Sequence, residues 1–215
     1  PVSEFDGDHF VFMATRQGTV KKTPLVDFSR PRANGIIALN LGDDDSLVNV
    51  GVTDGQRDVM LLTNAGKAIR FNESEVRAMG RTATGVRGVR LGTDQTVIQS
   101  LILDEGDVLT VTENGFGKLT PVADYPLRGR GGMGVISIQT TARNGGVVGA
   151  LQVTQDNEIM LITNGGTLVR TRAAEISVLS RNTQGVKLIA LSEEEALVGL
   201  ARVEALGEEA GAGDD

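Results

Sequence analysis

Short apolar runs recur along the chain, and stretches rich in Gly, Asp and Asn separate them. The runs favour Val, Ile and Leu, and they are too short for helices of ordinary length. No stretch keeps a helical period for more than about two turns. The pattern therefore predicts an all-β chain built from short strands and tight turns.

Two series of glycines show that these strands are organised as a repeat. An apolar run ends in threonine three residues before each glycine of the first series, which is the spacing of a hairpin turn. The steps within both series lie between 48 and 51 residues. The opening glycines are Gly18, Gly66, Gly115 and Gly166, and the closing glycines are Gly35, Gly85, Gly134 and Gly185.

Each repeat is predicted to contain four strands, and four such units are typical of a propeller-like array. Two strands flank the opening glycine, a third follows the closing glycine, and a fourth ends the unit. The third strands are predicted at residues 36–39, 86–91, 135–138 and 186–191. We place the repeats at residues 9–56, 57–106, 107–156 and 157–206, within one domain over 1–206. Residues 207–215 are small and acidic, and we predict a flexible tail.

The composition of the chain excludes some kinds of structural site and membrane segment. The chain has no cysteine, which excludes disulfides and thiolate metal sites and favours a reducing compartment. No apolar run approaches the length of a membrane-spanning helix. We therefore expect a protein without a membrane segment.

Charge is segregated by position in the repeat. The four spans between opening and closing glycines hold 14 of the 21 basic residues and five acidic ones, a formal charge of +9. The rest of residues 1–191 holds six basic and 15 acidic residues, or −9. From Ser192 onward, eight acidic residues accompany one Arg202. Because equivalent positions of a repeat array lie on one side, the spans predict a basic band on one rim.

Evenly spaced lysines and arginines suit a phosphate backbone that runs along the rim. Aromatic residues make up only 3 % of the chain, which argues against single strands held by base stacking. Duplex DNA bound through its backbone, and bent, fits better. The alternative is that these side chains merely solubilise exposed loops. The candidate DNA-binding residues are Lys21, Lys22, Arg30, Arg32, Lys67, Arg70, Arg77, Arg81, Lys118, Arg128, Arg130, Arg170, Arg172 and Arg181.

Catalytic candidates are few. Ten positions after the opening glycines, Tyr125 occupies the place of Phe28, Val76 and Ile176, so we interpret it as a core residue. His9 has no cysteine, histidine or paired carboxylate around it. Nine positions after each opening glycine, every repeat has an acidic residue, which we interpret as structural: Asp27, Glu75, Asp124 and Glu175. No nucleophile–base pattern, P-loop or zinc spacing is present, so no catalytic centre and no cofactor are expected in this chain.

The motifs together resemble the C-terminal DNA-wrapping domain of the A subunit in bacterial DNA gyrase. The matching stretches include FMAT and GTVKKT at 12–23, SEVRAMG and TGVRG at 74–88, and GVISI at 134–138. GTLVRTR at 166–172 and RNTQGV at 181–186 continue the similarity. The resemblance implies a β-pinwheel, a propeller-like disc whose blades exchange strands and which wraps duplex DNA on its outer rim. This chain would correspond to the last four of six blades.

The same resemblance implies partners and a setting. The rest of the gyrase A subunit would complete, with the gyrase B subunit, a heterotetramer in the bacterial cytoplasm that is associated with the nucleoid. ATP, Mg²⁺ and the DNA-cleaving tyrosine would belong to other parts of that enzyme, and Tyr125 does not match the tyrosine. The fragment itself would be monomeric and would bind and bend DNA.

Two departures and two alternatives stay open on the sequence alone. The family's heptapeptide QRRGGKG belongs to a first blade that these repeats do not include, and RGRGGMG at 128–134 resembles a degenerate copy. The equivalent domain of topoisomerase IV is one alternative. The other is a protein-binding propeller of the chromosome-condensation-regulator type, whose repeats are also about 50 residues long.

Overall fold

A computed structural model describes residues 2–203, and these form fifteen strands in four antiparallel sheets. The prediction of an all-β, propeller-like fold is confirmed. Short 3₁₀ turns interrupt the strands at Leu25–Phe28, Glu73–Glu75, Val122–Asp124 and Ala173–Glu175. The predicted tail at 207–215 lies outside the described residues. No helix in residues 2–203 is long and apolar enough to cross a membrane.

Each sheet, here called a blade, takes three strands from its own repeat. Two of them form the hairpin around the opening glycine, and the third ends the repeat. Blades 1 and 2 contain β1 (Phe10–Thr15), β2 (Thr19–Pro24) and β3 (Leu47–Thr53), then β4 (Asp58–Thr63), β5 (Lys67–Asn72) and β7 (Val97–Ile102). Blades 3 and 4 contain β8 (Asp107–Thr112), β9 (Phe116–Pro121) and β11 (Val147–Val153), then β12 (Glu158–Thr163), β13 (Leu168–Arg172) and β15 (Leu197–Val203).

The fourth strand of blades 1, 2 and 3 is donated by the following repeat. These strands are β6 (Val86–Arg87), β10 (Val135–Ile136) and β14 (Val186–Lys187). The sheet orders are β3-β1-β2-β6, β10-β5-β4-β7 and β11-β8-β9-β14. Blade 4 has the order β13-β12-β15, so among the described residues its outer edge receives no donated strand. Strand exchange therefore links each blade to the repeat that follows it.

One predicted strand is wrong. Residues 36–39 form no strand, although they occupy the position of β6, β10 and β14 in the first repeat. The donated strands pair with the blade before their own, and no blade precedes blade 1 within residues 2–203. Without an edge to complete, this segment has no ladder of backbone hydrogen bonds, and Ile37 stays 58 % exposed.

The inner strands of successive blades, β3, β7, β11 and β15, pack against one another. The donated strands lie at the opposite edge of each sheet. The hydrophobic core fills the space between neighbouring blades rather than the interior of one repeat. For example, Phe12 and Val20 of blade 1 pack in one cluster with Val59, Leu61 and Phe71 of blade 2. A single repeat therefore has no closed core, as expected for a repeat array.

The recurring glycines lie at the seams between blades. Gly66 and Gly85 both have positive φ angles, of 75° and 105°. A Cβ atom on Gly66 would lie 2.2 Å from the carbonyl oxygen of Ile138, and one on Gly85 would lie 2.6 Å from that of Val20. Gly35 and Gly166, at the two ends of the array, have open space around the same position. Both glycine series therefore mark the close approach of one repeat's backbone to the next.

Candidate nucleic-acid interface

The candidate interface is the outer edge of the array, built from the donated strands and the loops that precede them. We call residues 29–35, 77–85, 126–134 and 177–185 the outer loops. Three of them run beside the second strand of the preceding blade through parallel bridges, which pair Lys22 with Ala78, Arg70 with Leu127, and Leu119 with Val178. Each of these three loops then turns at its closing glycine into the donated strand.

Two of the candidate lysines are buried beneath these loops. Lys21 and Lys118 are both fully buried. The Lys118 ammonium donates to the carbonyl oxygens of Ser180 and Arg181, both at 2.6 Å, and to Thr183 Oγ1 at 3.0 Å. Lys21 Nζ donates to the carbonyl oxygens of Ala38, at 2.7 Å, and Arg81. Both lysines hold the outer loop of the next repeat in place from inside.

The environment of these ammonium groups changes their proton affinity. Burial, and then the nearby Arg181 guanidinium, lower the pKa of Lys118 to about 8. Burial and Arg81 likewise lower the pKa of Lys21. The charge of each lysine is thus already costly to hold inside the fold. Neither ammonium is placed to meet a phosphate at the surface.

Lys22 is also turned inward. Its ammonium donates to the carbonyl oxygen of Glu73 at 3.0 Å and lies 3.8 Å from the Glu73 carboxylate. It also lies 4.9 Å from the centre of the Phe10 ring. The buried Glu73 carboxylate accepts further hydrogen bonds from Thr53 Oγ1 and the Arg57 backbone N–H. This group joins blade 1 to blade 2 and has a structural function.

Repeats 2, 3 and 4 each have an arginine four residues before the closing glycine, and this arginine clamps its own outer loop to residues that flank the preceding outer loop. Arg181 donates to the carbonyl oxygens of Asp124 at 2.7 Å and Ile136 at 2.8 Å. Arg130 donates in the same way to Glu75 at 3.0 Å and Arg87 at 2.9 Å. The remaining member, Arg81, donates to the carbonyl oxygen of Ile37 at 2.8 Å. These half-buried guanidinium groups fix the spacing of the outer loops, and they remain at the outer edge.

The acidic column takes part in the clamps. Glu75 Oε2 accepts a hydrogen bond from the Arg130 backbone N–H at 3.0 Å. Asp124 contributes its main-chain carbonyl to Arg181. The structural interpretation of the acidic position is confirmed for Glu75, whose contact crosses the seam between repeats, whereas the Asp124 contact does not depend on an acidic side chain.

Three other candidate DNA-binding residues lie beside carboxylates. Arg70 forms an ion pair with Asp58 at 2.7 Å and donates to the carbonyl oxygens of Val122 and Tyr125. Arg170 pairs with Glu158, and Arg172 lies 3.9 Å from the same carboxylate. In these strands the positive charge is partly neutralised, most strongly at the half-buried Arg70.

The remaining candidates carry their charge into solvent. Arg30, Arg32, Arg77 and Arg128 are exposed on the outer loops, and Lys67 lies half-buried at the start of β5. Arg30 and Arg32 share with the clamp arginine Arg81 a concave surface of about 840 Å³. The structure therefore brings exposed and clamping arginines together at the outer edge but separates the three buried lysines from them.

Two basic residues at this edge lie outside the candidate set. Arg87 on β6 and Lys187 on β14 are exposed, while their neighbours Val86 and Val186 are half-buried. Strand alternation directs every second side chain of the donated strands outward. That alternation is visible in the sequence, but its partner strand lies in another repeat, so charge counting between glycines does not find it.

Acidic groups occupy both faces beside this edge. Asp45 accepts a hydrogen bond from the backbone of Gln17 at one hairpin turn, and Asn64 in the next hairpin turn donates to the carbonyl oxygen of Asp94. At the other end of the strands, Asp54 and Asp104 both lie within 3.4 Å of Arg57. Carboxylates thus lie near both ends of the strands, away from the exposed arginines of the outer loops.

The residues between 2 and 203 contain no group of three or more His, Asp or Glu side chains that could hold a metal ion. The expectation that His9 has no carboxylate partner is wrong, because its Nδ1 lies 2.7 Å from Asp6 Oδ2. Tyr125 is 1 % exposed, and its hydroxyl forms a 2.8 Å hydrogen bond with Ser137 Oγ. The interpretation of Tyr125 as a core residue is confirmed.

Strand exchange between successive four-stranded sheets defines a propeller-like array of the pinwheel type. The chain belongs to the family described as "DNA gyrase C-terminal domain, beta-propeller", which matches residues 9–54, 57–104, 106–154 and 157–204. Membership of this family excludes the alternative interpretation of the chain as a propeller of the chromosome-condensation-regulator type.

Relatives of known name agree with the family. The chain is 57 % identical over 204 residues to the DNA gyrase A subunit of Salmonella typhimurium, covering 94 % of this chain and 23 % of that protein. It is 56 % identical over 207 residues to the Pseudomonas aeruginosa protein of the same name, covering 96 % and 22 %. The chain thus spans about a quarter of the length of the curated relatives it matches.

Solved structures show the same fold. The C-terminal domain of DNA topoisomerase IV superposes with a TM-score of 0.89 at 25 % identity, covering 95 % of this chain and 64 % of that one. A DNA gyrase A C-terminal domain superposes with a TM-score of 0.83 at 26 % identity, covering 94 % and 68 %. The fold is therefore shared by both kinds of topoisomerase, and the higher identities are to the gyrase A subunit.

Proposed function

We propose that this chain binds duplex DNA along its outer edge and bends it, as the C-terminal part of a DNA gyrase A subunit. The observation that carries the proposal is the placement of exposed cationic groups on equivalent outer elements of successive repeats. Arg77, Arg128 and the clamp residue Arg181 lie on three successive outer loops. A duplex that contacts all three must follow the curve of the array, so its backbone must bend.

The proposed contact set is smaller than the set of 14 basic residues. It keeps the exposed arginines of the outer loops, the clamp arginines and Lys67, and it adds the two exposed residues of the donated strands. The buried Lys21, Lys22 and Lys118 support the edge from inside and make no phosphate contact in this scheme. Arg70, Arg170 and Arg172 contribute weakly, because carboxylates already lie beside them.

Within the whole enzyme, the wrapped segment would fix the direction in which DNA crosses itself. Cleavage, ATP hydrolysis and Mg²⁺ binding would be supplied by the rest of the A subunit together with the B subunit, in the bacterial cytoplasm. The chain's own residues would bind and orient the duplex. No step of the bond-breaking chemistry passes through them.

Equilibrium binding to a mixed-sequence duplex tests this function. Counterion release predicts that the logarithm of affinity falls with the logarithm of salt, with a slope of about −0.9 for each phosphate neutralised. Arg128→Ala should reduce the slope by about 0.9, and a second mixed sequence should bind equally well. A binding constant that does not respond to salt, or a strong preference for one short sequence, would overturn the proposal.

A further inference from the structure

A second basic surface lies away from the outer loops, where blades 1 and 2 meet at their hairpin turns. It is a cleft of about 690 Å³ whose lining includes Arg16, Gln17, Asp44, Arg87, Arg90 and Gln95. Its three arginines are exposed, and none has a side-chain hydrogen bond or ion pair with any described residue. Only Arg87 belongs to the outer edge.

The backbone of the cleft is rigidly held. Residues 88 and 89 donate their N–H groups to the Gly18 carbonyl oxygen at the hairpin turn of blade 1. Val97 donates to the carbonyl oxygen of Arg16 at 2.8 Å, and Val89 is buried. The arginine side chains therefore project from fixed main-chain positions, which reduces the entropy lost on binding an anion.

The cleft is continuous with the outer edge through the third repeat. Arg90 donates its backbone N–H to the carbonyl oxygen of Gly132 at 2.8 Å, and Gly131 donates to that of Gly88. The clamp residue Arg130 donates to the carbonyl oxygen of Arg87. The outer loop RGRGGMG thus rests on the segment that carries Arg87 and Arg90. Basic side chains from three repeats meet at this point.

The other seams lack this arrangement. At the positions of Arg16, Arg87 and Arg90, the seam of blades 2 and 3 has Asn64, Ile136 and Gln139. The seam of blades 3 and 4 has Glu113, Lys187 and Ala190. The arginine cleft is therefore a local feature of one seam, whereas the basic outer edge repeats.

Charge in the cleft favours an anion despite neighbouring carboxylates. Asp44 lines the cleft, while Asp45 is occupied by the backbone N–H groups of Gln17 and Ser46. Three guanidinium groups outnumber the two nearby carboxylates, Asp44 and the still-charged Asp45, and arginine forks match phosphate oxygens well. The open, polar surface suits a phosphodiester backbone that arrives from the outer edge.

We infer that duplex DNA bound along the outer loops of repeats 2 to 4 leaves the outer edge at the seam of blades 1 and 2. It crosses through this cleft onto the hairpin face, the face of the array that carries the turns at Gly18 and Gly66. The inference rests on the proposed DNA-binding function. Arg87 makes the turn from the outer edge, and Arg90 and Arg16 hold successive phosphates beyond it. The cleft thereby fixes where one end of the bound DNA leaves the array.

The test uses the full chain and the double variant Arg16→Ala/Arg90→Ala, with Arg143→Ala/Arg202→Ala as a control of equal charge loss on exposed residues elsewhere. Two lost phosphate contacts should lower the salt slope by about 1.8 and weaken binding roughly 30-fold near 0.15 M salt. The length of duplex that the chain protects from a non-specific nuclease, its footprint, should become shorter, because the bound DNA loses its contacts at one end. The control should show a smaller, uniform change with an intact footprint.

Asp44→Asn gives a test of opposite sign. Asp44 has a φ of 59°, which asparagine tolerates, so the fold should persist. Removing this carboxylate should tighten duplex binding several-fold at low salt, because a repulsive charge leaves the cleft. An unchanged affinity for Asp44→Asn, together with matching footprints for the two double variants, would overturn the cleft as a DNA site.

The two proposals fail in different ways. If the unaltered chain binds duplex with a steep salt slope while the cleft variants behave as the control does, only the cleft inference is wrong. If the unaltered chain does not bind duplex, both proposals are wrong. In that case, tripolyphosphate binding that Arg16→Ala/Arg90→Ala abolishes would identify the cleft as a site for free polyphosphate instead.

Discussion

The buried ammonium of Lys118 lies 2.6 Å from the carbonyl oxygen of Arg181, a residue of the next repeat. The Arg181 side chain in turn reaches back to the carbonyl oxygen of Asp124 in the repeat of Lys118. Lys118 supports the outer loop of the next repeat from inside, and Arg181 fixes the same loop from the outer surface. The surface that we assign to DNA is therefore held in shape by a buried lysine that makes no phosphate contact and by a clamp arginine that remains at the outer edge.

Arg181→Ala should destabilise the fold. The substitution leaves two main-chain carbonyls without their charged donor, and such a loss costs about 1–3 kcal/mol of unfolding free energy. Chemical denaturation would measure the change. Arg128→Ala is the matched control, because Arg128 is exposed, and it should stay within about 0.5 kcal/mol of the unaltered chain. Equal effects of the two substitutions would contradict the clamp.

Lys118→Met should change how stability depends on pH. The pKa of Lys118 is about 8 in the fold and about 10.4 in an unfolded chain. Between these values the unfolded state binds more protons, so Lys118 makes the fold more stable as pH rises. The stability of the unaltered chain relative to Lys118→Met should increase by up to about 1.4 kcal/mol per pH unit in this window. Denaturation at several pH values checks this, and a flat difference would refute it.

Gly85→Ala and Gly35→Ala separate backbone strain from crowding at the seam. Both glycines have positive φ, so alanine is strained at either position by about 1–2 kcal/mol. Only at Gly85 would the new Cβ press on the Val20 carbonyl oxygen, at 2.6 Å. We expect Gly85→Ala to lose about 1–3 kcal/mol more than Gly35→Ala. Thermal and denaturant unfolding of the pair would show whether the seam is as tight as described.

Tyr125→Ala and Tyr125→Phe test the core position. Loss of the whole buried ring should cost about 3–5 kcal/mol. Loss of the hydroxyl alone leaves Ser137 without its partner and should cost about 1–3 kcal/mol. DNA affinity of folded Tyr125→Phe should be unchanged. If that variant kept its stability but lost DNA binding, the core interpretation would be wrong.

The sequence predicts the repeat, the all-β fold and the basic side of the array, because glycine and charge recur at fixed positions. The pattern of residues does not by itself reveal strand exchange, which only the family resemblance implies, since a two-residue strand such as Val86–Arg87 has no local feature that identifies its partner strand. Long-range pairing of that kind depends on the neighbouring blade. The prediction of a strand at residues 36–39 fails for the same reason.

The burial of Lys21 and Lys118 is not predicted from the sequence for a different reason. Lysine is almost always exposed, so charge counting places Lys21 and Lys118 with the surface charges. Their burial depends on carbonyl acceptors about 60 residues further along the chain. A signal exists, because the same column holds Ile69 and Val169 in the other two repeats. An apolar residue in an equivalent position indicates an inward-facing site.

Wrapping itself is tested most directly by DNA topology. Relaxed closed-circular plasmid would be incubated with the chain, treated with a nicking-closing topoisomerase, deproteinised, and resolved by its linking number. If duplex DNA follows the curved outer edge, the linking number should shift in proportion to the bound chain, and the shift should disappear at high salt. The substitution Arg77→Ala/Arg128→Ala should reduce it. Saturating binding with no change in linking number would contradict wrapping.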